Sequence, residues 1–370
     1  LVVIGGGVIG LASAFRLAGD GQRVCLLEAT RIGDGSTGAS LGALMPHTPL
    51  KETPLTDIQR DSLAAMPDFV AAVEAASGLP CHYRRAGRLE ILPSAEAAER
   101  CWERIDAART RWAALGDIPL RWLDESDARQ LMPWLASAPY GVLHDDVTAQ
   151  IDPASLLASL SAACRARGVE IREGTLVQSL EPGAQDVSVV TKADKLTAAQ
   201  VVVANGIAAT ALLPDAKAVP AVRGIKGEAM RIPHPARTEW PLVYAHGSFA
   251  LSRSDGFYIG STSDATAPLD TTVTRGGFKD LTARRRKLLA LDETALRPSL
   301  WSGFRPATAD RQPCVGPLPD SNRIILAAGH FKIGLGLAPA TADAVAAMTI
   351  GRDPGPAWAD LSPVRWRETK

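Results

Sequence analysis

The sequence predicts an α/β fold in which a parallel sheet, built from separate parts of the chain, carries a second domain of α+β type with an antiparallel sheet. Two observations predict the parallel sheet. Residues 11–18 carry apolar side chains at helical spacing, and short apolar runs typical of buried strands occur at several places. These runs are residues 1–4, 24–27, 197–203 and 324–328. A third observation predicts the second domain: 81–147 and 219–302 alternate shorter strands with helices.

The first apolar run leads into a glycine-rich turn with a specific spacing. Gly5, Gly7 and Gly10 stand in G-x-G-x-x-G order before a helix, and a second strand ends on Glu28. This is the order of a Rossmann βαβ unit, in which the glycines allow a tight turn, close approach of a pyrophosphate and packing of the helix. The helix N-terminus would face the phosphates, and Glu28 would accept hydrogen bonds from ribose hydroxyls. A carboxylate there disfavours a 2′-phosphate, so NADP is not expected.

A segment of small and hydroxyl-bearing residues follows the second strand, over 31–44. An NAD-binding domain would continue with a regular βαβ repeat at this point. The segment instead suits backbone contact with a second phosphate and a flat ring system. Here the sequence resembles the FAD-dependent amino-acid oxidase family, which holds D-amino acid oxidase, glycine oxidase and sarcosine oxidase. In that family the corresponding segment wraps the flavin.

The C-terminal third carries the most specific part of the resemblance. Residues 301–317 are similar to the family pattern W-x-G-x-R-P-x-T-x-D-x-x-P-x-I-G, and 222–230 to its P-V-K-G-E strand. Residues 329–339, GHFKIGLGLAP, match the G-H-[FY]-R-N-G-I-x-L-A-P of the glycine oxidase branch. The resemblance spans essentially the whole chain. It implies non-covalent FAD, because covalent-flavin relatives carry a cysteine within the stretch that reads RPAT, 305–308, here.

The resemblance and the strand pattern together imply a discontinuous organisation. The Rossmann-type FAD-binding domain would comprise 1–80, 148–218 and 303–370, and the substrate-binding domain 81–147 and 219–302. Several local predictions accompany these boundaries. They are helices at 51–80, 96–115, 153–167 and 278–291, a loop over 144–152, a strand at 174–180 that continues the parallel sheet, and one strand at 197–203.

The family pattern also implies which residues contact the cofactor. They lie in the glycine turn, in the segment after the second strand, in the middle of the chain and in the GHFKIGLGLAP stretch. These residues are Gly5, Gly7, Val8, Ile9, Gly10, Glu28, Ala29, Arg31, Ser36, Thr37, Ala39, Ser40, Leu41, Gly42, Leu44, Val177, Ala204, Asn205, Gly206, Arg305, Gly329, His330, Phe331, Lys332, Ile333, Gly334 and Leu335.

Arg305 is the predicted substrate-binding residue. In the family, the arginine of W-x-G-x-R-P binds the substrate carboxylate. The residues agree, since a guanidinium between aromatic residues and a proline offers a planar fork that matches a carboxylate. The alternative is a structural arginine that pairs with an acid such as Asp310.

Lys332 stands where glycine oxidase-like members carry a second arginine. The resemblance implies that its charge lies near the flavin or the substrate and stabilises the anionic reduced flavin. The alternative is a solvated loop lysine. Phe249 falls where many relatives place a tyrosine over the substrate, and Tyr258 or Tyr244 could substitute for it. We expect His330 to be a core or backbone-fixing residue rather than a general base.

The composition limits the partners and the compartment. Lys+Arg and Asp+Glu both number 40, so nothing indicates nucleic acid or an anionic membrane. Five scattered cysteines without a C-x-x-C pair predict neither disulfides nor a zinc site and favour a reduced, cytoplasmic setting. No run of about 18 apolar residues predicts a membrane span. The chain opens inside a strand without a methionine, so we expect residues before Leu1.

The predicted function is oxidation of the Cα–N bond of a small amino acid or N-substituted glycine. Hydride would pass to flavin N5, the imine would hydrolyse to a 2-oxo acid, and oxygen or another acceptor would take the electrons. The differences at Lys332 and Phe249 favour a substrate other than glycine. Two alternatives stay open: a 2-hydroxy-acid dehydrogenase on the same fold, and the flavin subunit of a hetero-oligomeric amine dehydrogenase. A homo-oligomer also stays open.

Overall fold

The computed structural model describes residues 1–116, 120–213, 219, 221–292 and 297–366. Its strands, labelled in chain order, are β1 Val2–Ile4, β2 Cys25–Leu27, β3 Ala43–Leu44, β4 Arg88–Ile91, β5 Arg121–Leu123, β6 Val142–Asp145, β7 Ala149–Gln150, β8 Glu170–Arg172, β9 Val177–Pro182, β10 Val187–Thr191, β11 Lys195–Ala198, β12 Val201–Val203, β13 Arg223–Pro233, β14 Leu242–Ala245, β15 Ser248–Arg253, β16 Gly256–Gly260, β17 Ser299–Ala307, β18 Cys314–Leu318 and β19 Ser321–Ala328. Its α-helices are α1 Val8–Gly19, α2 Pro54–Ser77, α3 Ala95–Glu99, α4 Cys101–Arg111, α5 Glu125–Leu131, α6 Pro153–Ala166, α7 Arg275–Leu288 and α8 Gly334–Thr349.

The apolar runs from distant parts of the chain meet in one six-stranded sheet, in the order β18-β19-β12-β1-β2-β8. All its neighbouring strands are parallel except β18 and β19. The valines and isoleucines of β1 and β12 are buried on both faces, as expected for parallel strands that are covered on both sides. The predicted α/β fold with a Rossmann-type unit is therefore confirmed.

Two predictions around this sheet are wrong. The strand predicted at 174–180 belongs to a separate antiparallel sheet, β11-β10-β9, and does not continue the parallel one. The single strand predicted at 197–203 is two strands, because β11 ends at Ala198 and β12 begins at Val201. The burial pattern explains the break. The first three of the four residues of β11 are exposed or half-buried, whereas β12 is buried throughout.

A second sheet of eight strands runs in the order β17-β13-β16-β15-β14-β4-β6-β5. It is antiparallel except where β4 pairs with β14. Its strands come from both stretches predicted to form the substrate-binding domain, 81–147 and 219–302. Strand β17 continues to Ala307, past the predicted boundary between the two domains at 302/303. The domain boundaries stay predictions. Residues 117–119, 214–218, 220, 293–296 and 367–370 lie outside the described part of the chain.

The region 96–152 differs from the prediction in two places. His144 and Asp145 lie in β6 rather than in a loop, and both are buried. The expected single helix over 96–115 is divided at Arg100 into α3 and α4. Two contacts of the carboxylate account for the burial of Asp145. Its Oδ2 lies 2.8 Å from Nε of Arg88, and its Oδ1 accepts a hydrogen bond from the Thr148 N–H.

The predicted helices at 51–80, 153–167 and 278–291 are present as α2, α6 and α7. Local signals account for their beginnings: Thr53 and Thr56 form a capping box at α2, and Asp152 caps α6. No helix among the described residues is long and apolar enough to cross a membrane. Each of the five cysteines is a free thiol.

Candidate active site

The glycine turn between β1 and α1 has the geometry that its sequence requires. Gly5 has φ +110°, and a Cβ there would lie 2.6 Å from the carbonyl oxygen of Ala204. A Cβ on Gly10 would lie 1.9 Å from the Gly5 oxygen, so no side chain fits where α1 packs on the turn. Gly7 is different: only Thr37 Oγ1, at 3.4 Å, lies near the position of its Cβ. The turn is thus closed at its base and open at Gly7.

The surroundings of this turn suit a dinucleotide. No side chain caps the N-terminus of α1, although Thr37 Oγ1 accepts from the Val8 N–H. The Asn205 Oδ1 atom, beside the turn, is buried and has no hydrogen-bond partner among the described residues. Glu28 accepts hydrogen bonds from the Gly6 and Thr30 N–H groups, which ties the end of β2 to the turn. Open N–H groups and an unpaired buried oxygen fit the pyrophosphate and ribose of a nucleotide.

A cavity of about 880 Å³ opens between the segment 36–48, the eight-stranded sheet and the start of α8. Its volume matches the size of cofactor and ligand sites in proteins. Its lining includes twelve of the residues predicted to bind cofactor or substrate. These are Ser36, Ala39, Ser40, Leu41, Gly42, Leu44, Phe249, Arg305, Phe331, Lys332, Ile333 and Leu335.

The other predicted residues lie outside the cavity wall. Those around the glycine turn are Gly5, Gly7, Val8, Ile9, Gly10, Glu28, Thr37, Ala204, Asn205 and Gly206; the rest are Ala29, Arg31, Val177, Tyr258, Gly329, His330 and Gly334. Tyr258 donates its hydroxyl to Asp255 and packs against Arg253 and Trp301. Of the two tyrosines that could replace the expected one, Tyr244 lines the cavity and Tyr258 does not.

Segment 36–48 is held against the sheet by small residues. A Cβ on Gly303 would lie 2.4 Å from Cβ of Ala39, and one on Gly260 would lie 2.1 Å from Leu41. The Trp301 indole N–H donates to the Ala39 carbonyl at 2.9 Å. The segment therefore packs directly on β16 and β17, next to the cavity that the segment and β17 line.

Arg305 lies on β17 with its guanidinium turned into the cavity. A Cβ on Gly227, the neighbouring strand residue, would lie 2.2 Å from Arg305 Nη2, so this glycine makes room for the guanidinium. Nη2 donates to the Ser261 hydroxyl and to the Thr262 carbonyl. Burial lowers the pKa of Arg305. No carboxylate of the described chain lies within 4.0 Å of it.

The alternative partner of Arg305 is engaged elsewhere. The Asp310 carboxylate accepts from Thr308 Oγ1 at 2.7 Å and pairs with Arg365 at 3.2 Å. The structure does not show the alternative pairing of Arg305 with Asp310, because the Thr308–Gln312 turn and Arg365 hold that acid.

Lys332 is exposed to the cavity, with Nζ 5.3 Å from the centroid of the Phe331 ring. Partial burial in the cavity wall lowers the pKa of Lys332. Three guanidinium groups lower it further: Arg305, Arg311 and Arg284. No acidic residue of the described part of the chain pairs with Lys332. Its environment is electropositive, unlike that of a loop lysine in free solvent.

His330, in contrast, is a core residue. It is 4% exposed, and its Nε2 lies 3.1 Å from Thr341 Oγ1 in α8. Burial lowers its pKa to about 4, so the imidazole is neutral at ordinary pH. This geometry agrees with the expected structural role.

Sequence reasoning missed a group of charged residues that line the cavity on β4 and α4. Arg88 is 7% exposed and pairs with Asp145, while Glu90 accepts two hydrogen bonds from Arg104 at 2.8 and 2.7 Å. Burial opposes ionisation of Glu90, but Arg104 and Arg88 outweigh it and lower the Glu90 pKa. Alternation of charged and apolar residues over 87–92 was a usable signal, since it puts Arg88 and Glu90 on one face of a strand.

His47, for which the sequence predicts a role in the structure or at the domain junction, also lines the cavity. Its Nε2 is buried and has no hydrogen-bond partner in the part of the chain that the structure describes. Burial and the charge of Lys51 lower its pKa, so it is neutral. Its backbone N–H donates to Gln59, which also binds the Met45 carbonyl and so fixes this side of the cavity.

A Rossmann-type sheet with an open glycine turn, joined to a large cavity on a second sheet, defines a dinucleotide-dependent enzyme. The family model described as DAO, FAD dependent oxidoreductase, matches residues 1–348, and the chain belongs to this family. The suspected resemblance is thereby confirmed, and FAD is the cofactor that the family uses. The residues of the turn and of the cavity fit that group.

Known relatives extend over nearly the whole chain. The sequence is 26% identical to a glycine oxidase of Bacillus licheniformis over 96% of this chain and 94% of that protein. The fold superposes on the crystal structure of glycine oxidase from Geobacillus kaustophilus with a TM-score of 0.89, 27% identity and 98% coverage of both chains. An iminodiacetate oxidase structure from Chelativorans shares the fold, with a TM-score of 0.88, 21% identity and 98% coverage of both chains.

Proposed function

We propose that the protein oxidises the Cα–N bond of a small amino acid or N-substituted glycine. The observation that carries the proposal is Arg305, a partly buried guanidinium in the cavity with no carboxylate partner among the described residues. Burying an unpaired charge is costly, so the site is prepared for an anionic group that the substrate brings. Relatives named glycine oxidase support an amino acid as that substrate.

The contacts of Arg305 support a role in orienting the substrate. The Ser261 hydroxyl and the Thr262 carbonyl hold Nη2, and the Lys226 carbonyl lies 3.5 Å from Nη1. With the guanidinium held in this way, a bound carboxylate is fixed in direction as well as position. Phe249 and Tyr244, paired in register on β15 and β14, form the adjacent wall. This wall and Arg305 together limit how the Cα of a substrate can point.

The charge of the cavity supports binding of the amine in its neutral form. Arg305 and Lys332 both contribute positive potential, and positive potential lowers the pKa of a nearby ammonium group. A neutral amine has the lone pair that Cα–H cleavage requires. Bound FAD supplies the two-electron acceptor for the hydride that leaves Cα. Lys332 would also stabilise negative charge at the flavin edge, and the uncapped N-terminus of α8 lies next to it.

A substrate panel tests this function. The purified, FAD-loaded protein is mixed under nitrogen with glycine, sarcosine, D-amino acids, opine-like N-alkyl amino acids and 2-hydroxy acids, and flavin absorbance is followed. We expect rapid bleaching by at least one amine and none by the hydroxy acids. Bleaching by 2-hydroxy acids alone would replace the proposal with the hydroxy-acid dehydrogenase. If no amine bleaches the flavin, the hypothesis that the chain is the flavin subunit of a hetero-oligomeric amine dehydrogenase is favoured.

The electron acceptor is tested separately. After bleaching, admission of air restores the flavin colour at the rate of its reaction with oxygen. A rate fast enough for turnover, with one peroxide formed per amine oxidised, supports an oxidase. Slow reoxidation by air together with fast reoxidation by a quinone supports a dehydrogenase.

A further inference from the structure

Among the described residues that line the cavity, positively charged side chains outnumber negatively charged ones. The two acids, Glu90 and Asp310, are paired with Arg104 and Arg365. Arg88 is paired with Asp145. Four cavity cations remain without an acidic partner in the described part of the chain: Lys51, Arg305, Arg311 and Lys332.

Three of these four cations form a cluster. Lys51 lies beside His47, whose pKa its charge lowers. Arg311 and Lys332 instead share one aromatic ring: the Arg311 Cζ is 5.7 Å and the Lys332 Nζ 5.3 Å from the Phe331 centroid. Arg305 joins them through the backbone, because the Phe331 N–H donates to the carbonyl of Pro306 at 2.8 Å.

The backbone of Arg311 and Phe331 indicates that this cluster is maintained at a cost. Both residues have left-handed backbones, with φ +59° and +49°. A side chain other than glycine in this region costs of the order of 1 kcal/mol or more, and such residues concentrate at ligand sites. Asp310 precedes Arg311 but is held by Thr308, so it does not compensate the Arg311 charge.

We propose that Arg311 and Lys332 form a second anion subsite, so that the preferred substrate is an amino acid with a second carboxylate. This inference rests on the proposed function and narrows it. Arg305 binds the carboxylate next to the oxidised carbon, and the pair on Phe331 binds the distal one. The two carboxylates of the substrate would reduce the repulsion between Arg305, Arg311 and Lys332. The same repulsion contributes to the lowered pKa of Lys332.

Matched substrates test the subsite. The series consists of glycines that carry N-carboxymethyl, N-carboxyethyl or N-carboxypropyl groups, and aspartate and glutamate of both configurations. Each is compared with a neutral analogue of equal length, such as an N-alkyl glycine. We expect at least one dicarboxylate to exceed its neutral analogue by about 10-fold or more in kcat/KM, the effect of a charge-assisted hydrogen bond. Equal or lower values for every dicarboxylate would overturn the proposal.

Variants of Arg311 assign the preference to this subsite. In Arg311→Gln the ratio of kcat/KM between the best dicarboxylate and its neutral analogue should fall about 10-fold, and Arg311→Lys should retain part of it. Arg311→Gly removes the charge while suiting the left-handed backbone, so it separates loss of charge from misfolding. Arg352→Gln, an exposed cation outside the cavity, is the matched control and should leave the ratio unchanged.

A binding measurement separates this proposal from the proposed function. Succinate and glutarate cannot be oxidised at a C–N bond, and their binding is followed by the shift that they cause in the flavin spectrum. We expect them to bind at least about 10-fold more tightly than butyrate or pentanoate, and Arg311→Gln to abolish the difference. Selective binding without oxidation of any amine would retain the subsite and reject the reaction. Two results would reject the subsite and retain the reaction if an amine is oxidised. One is equal affinity for the dicarboxylic and the monocarboxylic acids, and the other is an equal loss of affinity for both kinds of acid in Arg311→Gln.

Discussion

At the scale of single residues, the partners of each charged group in the cavity separate structural roles from binding roles. Arg88 and Arg104 have the same charge as Arg305, yet both are paired with buried or partly buried acids. Among the residues that the structure describes, the hydrogen-bond partners of the Arg305 guanidinium are one hydroxyl and two carbonyl groups. Such neutral groups hold a guanidinium in place without cancelling its charge, so its attraction for an external carboxylate is preserved.

Replacement of Arg305 should therefore weaken substrate binding strongly. We expect Arg305→Ala to raise KM for carboxylate substrates about 100-fold, since a partly buried charged hydrogen bond contributes about 1.5–3 kcal/mol. Arg305→Lys should recover part of the loss, because it keeps the charge without the fork. Steady-state kinetics of the FAD-loaded variants measures this, with Arg352→Ala as the control. If the kinetics of Arg305→Ala are unaltered, Arg305 does not bind the substrate.

His330 should make the stability of the fold depend on pH. Its pKa of about 4 in the folded protein lies below the ordinary 6.5, so the unfolded chain binds the proton more tightly. The neutral imidazole therefore contributes stability that is complete above pH 6.5 and is lost as the pH falls towards 4. The loss amounts to up to about 3 kcal/mol.

His330→Gln isolates this contribution, because the other histidines remain. Urea unfolding at several pH values should show a smaller decrease in the free energy of unfolding between pH 6.5 and 4 than in the unchanged protein. Parallel pH profiles of the two proteins would mean that His330 is protonated as easily in the folded state as in the unfolded chain.

At the scale of elements, glycines determine how closely helices approach the two sheets. Gly10 brings α1 onto the turn after β1, as its motif predicts. Gly277 has the corresponding role behind the eight-stranded sheet, where a Cβ would lie 1.2 Å from Glu228 Oε2. Glu228 is 3% exposed and accepts from the Thr274 N–H and hydroxyl, so it cannot move aside without losing buried hydrogen bonds.

Adjacent glycines in α7 provide a matched pair. Gly277→Ala should destabilise the protein by about 2 kcal/mol or more, because it displaces a buried, hydrogen-bonded carboxylate. In Gly276→Ala the new Cβ has only Thr274 Oγ1 near it, at 3.9 Å, so helix propensity should raise stability by about 0.5–1 kcal/mol. Thermal and urea unfolding compare the two variants. A gain, or no change, in Gly277→Ala would show that α7 is not packed as closely as described.

At the scale of the whole molecule, the segment 36–48 connects the nucleotide turn with the cavity of the second sheet. Thr37 accepts from the first turn of α1, and two residues later Ala39 packs on Gly303 of β17. A cofactor that extends from the turn to the cavity would thus contact both sheets. Its binding energy would add to the stability of the folded chain alone.

Added FAD should stabilise the protein without a covalent bond. At a free concentration of 100 times Kd, a ligand that binds only the folded state adds about 2.7 kcal/mol to the free energy of unfolding. The unfolding temperature of FAD-free protein should therefore rise with FAD concentration, while FMN serves as a control without the adenine half. Acid precipitation should leave all the flavin in the supernatant. Flavin retained on the denatured chain would contradict the non-covalent mode.

Much of the fold and part of the site were predictable from local patterns. The glycine turn, the buried strands and the capped helices depend on residues close in sequence, and periodicity or capping reveals them. The prediction of a single strand at 197–203 was wrong because β11 and β12 are only two residues apart in sequence but belong to different sheets. The cavity role of Arg88 and Glu90 was missed because a short strand does not reveal which sheet face meets a distant segment.

Short spacings along the chain were sufficient to predict the class of fold and the nucleotide turn and to single out the arginine of W-x-G-x-R-P, because backbone geometry imposes these spacings. Which cavity cations lack an acidic partner among the described residues could be seen in the folded chain alone. Asp310 turns to Arg365, Glu90 to Arg104 and Asp145 to Arg88, so that Arg305, Arg311 and Lys332 are left facing the cavity. Ion pairing depends on distance in space, and residues far apart in the chain reach that distance only when the chain is folded.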